Sequence, residues 1–86
     1  MLFMSISTWA PDKRDEILKR RMEKGSMVPD GVKVIGEWVD LGGSRNFVLY
    51  ESDDPKALAQ WGLAWNDLVR DETAVVMDAE AAMKLL

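Results

Sequence analysis

The sequence predicts an α+β protein of the split βαβ type, ordered βαββαβ, with a four-stranded antiparallel sheet covered on one face by two helices. Three observations carry that prediction. Two helix-like stretches open at Pro11-Asp12 and at Asp54-Pro55. A Gly42-Gly43 pair joins two strand-like runs between them, and further strand-like runs stand before the first helix and after the second. With 86 residues the chain can build one modest core and has no length for another, so residues 1–86 are expected to form a single domain.

The segment Leu2 to Trp9 is dense in large and β-compatible residues, lacks an internal breaker and is bounded by Ala10-Pro11-Asp12, which defines a first strand. Pro11 suits the first turn of a helix, and Asp12, Asp15 and Glu16 place acids at the positive end of its dipole. Gly25 and Pro29 supply stop signals, so the first helix is expected over about Asp12 to Lys24.

Val32 to Leu41 and Arg45 to Ser52 form a hairpin if the two glycines supply the positive φ angles of a tight turn. In that register Trp38 faces Phe47 and Ile35 faces Tyr50. Val34, Gly36, Trp38, Phe47 and Leu49 then share one side, and Ile35, Glu37, Val39, Asn46, Val48 and Tyr50 share the other. Asp54 offers an N-cap acceptor ahead of Pro55, and Leu58, Trp61, Trp65 and Leu68 make one apolar stripe, which predicts a second helix running to about Val69. Thr73 to Met77 is a short last strand, and Asp78 caps a brief terminal helix over Ala79 to Leu86.

Composition narrows the function. The chain has no cysteine, which excludes a disulfide framework, a thiolate metal site and a cysteine nucleophile, and makes the cytoplasm the default location. It has no histidine either, which removes the commonest general base and the usual zinc and haem ligand. No metal site or cofactor is expected. The net charge is −4, and residues 51 to 86 carry eight acidic against three basic side chains, so a phosphate backbone would be repelled and no nucleic acid partner is expected. No uncharged apolar run approaches the roughly 20 residues of a membrane span, so the protein is expected to be neither membrane-spanning nor secreted.

Two helices cover only one face of a four-stranded sheet. The uncovered face is expected to hold Ile35, Val39, Asn46, Val48 and Tyr50, and an apolar patch of that kind predicts a homodimer paired face to face.

Several segments in order, Met1-Leu2-Phe3-Met4, Met27 to Val32, Trp38-Val39-Asp40, Phe47 to Pro55, and Trp61 and Trp65 with Asp67-Leu68-Val69, give the chain a further identity. On these it resembles a prokaryotic family of unknown function within the dimeric α+β barrel superfamily. The resemblance implies a ferredoxin-like protomer and a barrel-forming dimer, and it implies no established activity. Elsewhere that superfamily includes cofactor-independent monooxygenases, haem-degrading enzymes, dehydratases and ligand-sensing domains, so fold alone selects none of these.

The candidate ligand site is Trp38, Trp61 and Trp65, expected to meet between the sheet and the second helix with Arg45 close by. They form either an aromatic cleft for an apolar or aromatic small molecule, with indole N–H groups as orienting donors, or simply core. Gly62 beside Trp61 favours space, since glycine within a helix costs about 1 kcal/mol relative to alanine. An enzyme would set Asn46, Arg45 or Tyr50 beside an open cavity, whereas a structural or interaction module would fill it with side chains. No base and nucleophile pair is evident. Six of the eleven basic residues lie between Lys13 and Lys24, and the pairs Asp15 with Lys19 and Glu16 with Arg20 predict a largely neutralised, solvated face.

Overall fold

The computed structural model describes all 86 residues. Strand β1 (Leu2–Thr8) lies between β3 (Arg45–Ser52) and β4 (Arg70–Val76), and β2 (Val32–Val39) adds to the outer edge of β3. The sheet order is β2-β3-β1-β4 and every neighbouring pair is antiparallel, so the two crossovers carry the helices α1 (Arg14–Lys24) and α2 (Pro55–Trp65). This is the ferredoxin-like α+β fold that the alternation of helix and strand patterns predicts. A short helix α3 (Ala79–Met83) follows β4.

Local chemistry explains the boundaries. Pro11–Lys13 forms a 3-10 turn that leads into α1, so the first helix tightens at its start. Asp54 caps α2 by accepting from the backbone N–H groups of Lys56 and Ala57, at 3.0 and 3.2 Å. Helix α2 ends at Trp65, before the expected Val69. The Leu68 and Val69 N–H groups both reach back to the Trp65 carbonyl at 2.9 and 3.1 Å, and this turn buries Leu68. Strand β4 starts at Arg70, earlier than Thr73, because Arg70, Asp71 and Glu72 pair with Thr8, Ser7 and Ile6. The ladder overrides their weak strand propensity. The Asp78 cap forms as expected, and α3 closes at Met83, short of Leu86.

The hairpin keeps the expected Trp38–Phe47 pairing, but its turn is built differently. Asp40 and Arg45 close a four-residue loop through a backbone hydrogen bond of 2.9 Å and an ion pair of 2.9 Å, and the Asp40 carboxylate accepts from the Gly42 N–H at 2.8 Å. Only Gly43 of the pair needs a positive φ, at 92°.

A bulge at Ile35 shifts the outer register, so Val34 and not Ile35 faces Tyr50, and Gly36 faces Leu49. Glu37, Val39, Asn46, Val48 and Tyr50 lie toward the helices, whereas Trp38, Phe47, Leu49, Met4 and Ile6 occupy the open face. The expected assignment of faces is therefore reversed. Of the residues assigned to a dimer contact, Asn46, Val48 and Tyr50 lie under the helix layer, Val39 is on the same side of the sheet but largely exposed, and Ile35 sits in the bulge at the sheet edge.

The helix layer stands off the sheet. The radius of gyration is 14.1 Å, against about 12 Å for a close-packed chain of this length. Only Ser5, Val48, Tyr50, Ser52, Ala57 and Leu68 are buried. The space a small core would occupy is an open cleft.

Candidate functional site

Three transverse rows of side chains form the floor of the cleft, as the strand register requires. Tyr50 and Phe3 stand in one row, Glu37, Val48, Ser5 and Thr73 in the next, and Val39, Asn46, Ser7 and Asp71 in the third. The floor thus grades from aromatic to polar along the strands. Its roof is Ile17, Leu18 and Arg21 of α1 with Leu58, Trp61, Gly62 and Trp65 of α2. The cleft offers about 740 Å³, well within the range of small-molecule sites.

At the aromatic end the Phe3 and Tyr50 rings stack at 5.3 Å, and Trp61 meets Tyr50 edge to face at 5.0 Å. Burial raises the Tyr50 phenol above its ordinary pKa, partly offset by its hydrogen bond with Thr73, so it remains a neutral hydroxyl at physiological pH.

The α1–β2 loop fixes both roof tryptophans. The Trp61 and Trp65 indole N–H groups donate to one acceptor, the Ser26 carbonyl, at 3.0 and 3.1 Å. Gly25 and Met27 on either side of it have φ of 68° and 54°, a conformation in which Met27 is unusual. These indole donors are therefore committed to the backbone, which corrects the expectation that they orient a ligand.

Two ion pairs hold α1 in place. Arg20 forks onto Asp67 with both contacts at 2.7 Å, donates to the Ala64 carbonyl at 2.9 Å and lies 5.7 Å from the centre of the Trp65 ring. Arg21 forks onto Glu37 across the cleft. The expected pairs of Asp15 with Lys19 and Glu16 with Arg20 do not form. Sequence spacing shows only neighbours on one helix, and Arg20 and Arg21 find partners on other elements that fix them better.

At the polar end the Ser7 hydroxyl donates to the Asp71 carboxylate, and the Asn46 amide N–H donates to Glu37 at 2.9 Å. Hydrogen bonding to Arg21, reinforced by Asn46, holds the Glu37 carboxyl below the usual range despite partial burial. A carboxylate so stabilised is a poor proton acceptor. Two buried polar atoms here have no partner in the protein, the Trp9 indole nitrogen and the Asn46 side-chain oxygen.

Of the four residues proposed from sequence for ligand contact, Trp61 and Trp65 line this cleft. Trp38 and Arg45 lie on the other side of the sheet. Trp38 folds its ring over Gly36, where a β-carbon would meet it at 2.5 Å, and Arg45 lies 5.5 Å from the centre of the Phe47 ring. Trp9 was missed by sequence reasoning. Its signal was alternation, since it lies two residues beyond Ser7 on the same extended segment and shares its face.

The fold and the cleft define a ferredoxin-like α+β domain with an internal, solvent-connected cavity. The chain belongs to the family described as a domain of unknown function, DUF3303, whose model matches residues 1–86. No protein of curated function matches its sequence. Among solved structures it is similar to an uncharacterized NIPSNAP domain protein from Burkholderia xenovorans, with a TM-score of 0.55, 17% identity, and coverage of 92% of this chain and 96% of that one. It is also similar to a proposed antibiotic biosynthesis monooxygenase from Deinococcus radiodurans, with a TM-score of 0.51, 11% identity, and coverage of 92% and 95%. At these identities the likeness shows the fold. No helix is long and apolar enough to cross a membrane.

Proposed function

We propose that the protein binds a small apolar or aromatic molecule in the cleft between its helix layer and sheet, and does so as a homodimer joined through the open sheet face. The observation that carries the ligand reading is the unfilled cleft itself. A chain this small needs its large side chains to make a core, yet Phe3, Tyr50, Leu58, Trp61 and Trp65 line about 740 Å³ of open space. The dimer reading is supported by Met4, Ile6, Trp38, Phe47 and Leu49, a contiguous apolar surface that neither α1 nor α2 covers.

Native mass spectrometry of protein purified without denaturation tests both parts. A dimer carrying added mass, lost on Trp61→Ala substitution, is the expected spectrum. A bare protein that no compound in a broad aromatic panel perturbs would remove the ligand reading, and a monomer would remove the dimer.

A second reading, a cofactor-independent monooxygenase, is favoured by one observation: a polar cluster of Ser7, Glu37, Asn46 and Asp71 at one end of an otherwise aromatic cleft. It ranks second because Glu37 is held as a weakly basic carboxylate. Oxygen uptake when the bound compound is supplied would raise it to first.

A further inference from the structure

We propose that the cleft takes an organic cation, an amine on an apolar or aromatic body, whose ammonium group pairs with the Asp71 carboxylate. This inference rests on the cleft-binding reading and specifies the charge of its ligand.

Four charged residues line the cleft, Arg14, Arg21, Glu37 and Asp71. Three of them already have a counter-ion. Arg21 forks onto Glu37 at 2.8 and 2.9 Å, and Arg14, largely exposed, lies 3.3 Å from the carboxylate of its neighbour Asp15. Asp71 has no cation within 4 Å. Its side chain bonds only the neutral hydroxyl of Ser7, which leaves most of its acceptor capacity open.

The strand register aims this carboxylate at the cleft. Asp71 pairs with Ser7 across β4 and β1, and both line the floor, whereas Arg70, next in the chain, alternates to the other side of the sheet. The charge is felt inside. Burial is the main cause of the raised Tyr50 phenol, and Asp71 adds to it.

An anionic headgroup would find the donors here already committed. The Trp61 and Trp65 N–H groups hold the Ser26 carbonyl, the Arg21 fork holds Glu37, and Ser7 gives its proton to Asp71. An ammonium group instead needs acceptors, and it gains further from the faces of the Phe3, Tyr50 and Trp61 rings. Asp71 is exposed on an edge strand, so the paired head keeps part of its hydration and escapes the full cost of a buried ion pair.

The test uses the full chain and three probes on one naphthalene body, 2-naphthylmethylamine, 2-naphthylmethanol and 2-naphthoate, titrated by calorimetry at low salt. The amine is expected to bind about threefold or more tightly than the alcohol and about tenfold or more tightly than the carboxylate. Asp71→Asn keeps the shape and removes the charge. It should bring amine and alcohol to within about twofold of one another and leave the affinity for the alcohol unchanged. An amine that binds no better than the alcohol, or an advantage that survives Asp71→Asn, overturns the cation site while binding of the alcohol leaves the cleft reading standing. Binding of none of the probes overturns both. If the variant does not fold, titration of the unaltered protein at about 1 M salt decides: loss of the amine's advantage supports the pairing, and an advantage that salt does not touch overturns it.

Discussion

Arg21 on α1 and Glu37 on β2 meet in a two-pronged ion pair, at 2.9 and 2.8 Å, that spans the cleft between the helix layer and the sheet. The Glu37 carboxyl titrates below its ordinary value, chiefly because Arg21 hydrogen-bonds its charged form. The native state therefore holds its proton more weakly than the unfolded chain does. The pair's contribution to stability is complete above the unfolded value of 4.5 and is lost as pH falls through the lower folded value. With Arg21 about half exposed, solvent screening limits the pair to about 1 kcal/mol. Glu37→Gln should lower stability by about that amount at pH 7 and flatten the loss seen below about pH 4.5, in denaturant melts run across pH. Equal acid sensitivity of variant and parent would show that the contact carries no stability.

Gly62 separates helix stability from ligand space. A β-carbon there would meet nothing within 4 Å, and the residue lines the cleft. Gly62→Ala should strengthen α2 by about 1 kcal/mol, raising the melting temperature by about 4–8 °C. The new methyl group would enter the cleft, so affinity for the bound molecule should fall in the same variant. A gain in stability with unchanged affinity would place the ligand away from α2.

Gly31 is strained in the opposite sense. Its φ is 92°, and a β-carbon would lie 3.0 Å from the Asp54 carboxylate and 3.4 Å from the β-carbon of buried Ala57. The Ser52 hydroxyl bonds the Gly31 carbonyl at 2.6 Å and accepts the Asp54 N–H at 3.0 Å, tying the loop before β2 to the start of α2. Gly31→Ala should cost about 1–3 kcal/mol, read as an earlier urea midpoint with an unchanged slope.

The element order was legible in the sequence because caps, breakers and periodicity act locally. Asp54, Pro55 and Asp78 report helix starts whatever surrounds them. The strand faces were separable for the same reason, yet which face meets the helices was not. Apolar alternation shows that a face is covered and is silent on what covers it. Strand β1 held the better clue, since Leu2, Met4 and Ile6 alternate with Phe3, Ser5 and Ser7. The serines belong to the cleft, where small polar side chains leave room, and the aliphatic residues to the open face. The Ile35 bulge and the Arg20–Asp67 and Arg21–Glu37 pairs lay beyond sequence reasoning because each depends on contacts between separate elements.

The two faces of the sheet should respond differently to charge. Met4 is 43% exposed in the protomer and lies on the face that neither α1 nor α2 covers, beside Leu49 of β3 and Ala74 of β4. A lysine there costs little in an isolated chain, because its head can reach water. In a face-to-face dimer two such charges would be buried in the contact, at about 3 kcal/mol or more for an unpaired charge, which is more than a hundredfold in dissociation constant. Val48 is 6% exposed and faces the helix layer, so Val48→Lys should destabilise the fold itself. Sedimentation velocity and thermal melts of the two variants check the contrast: Met4→Lys should give a folded monomer, and Val48→Lys a protein that melts early whatever its association state. If Met4→Lys remains dimeric, the partner lies elsewhere and the apolar surface of Met4, Ile6, Phe47 and Leu49 is covered by something other than a second copy.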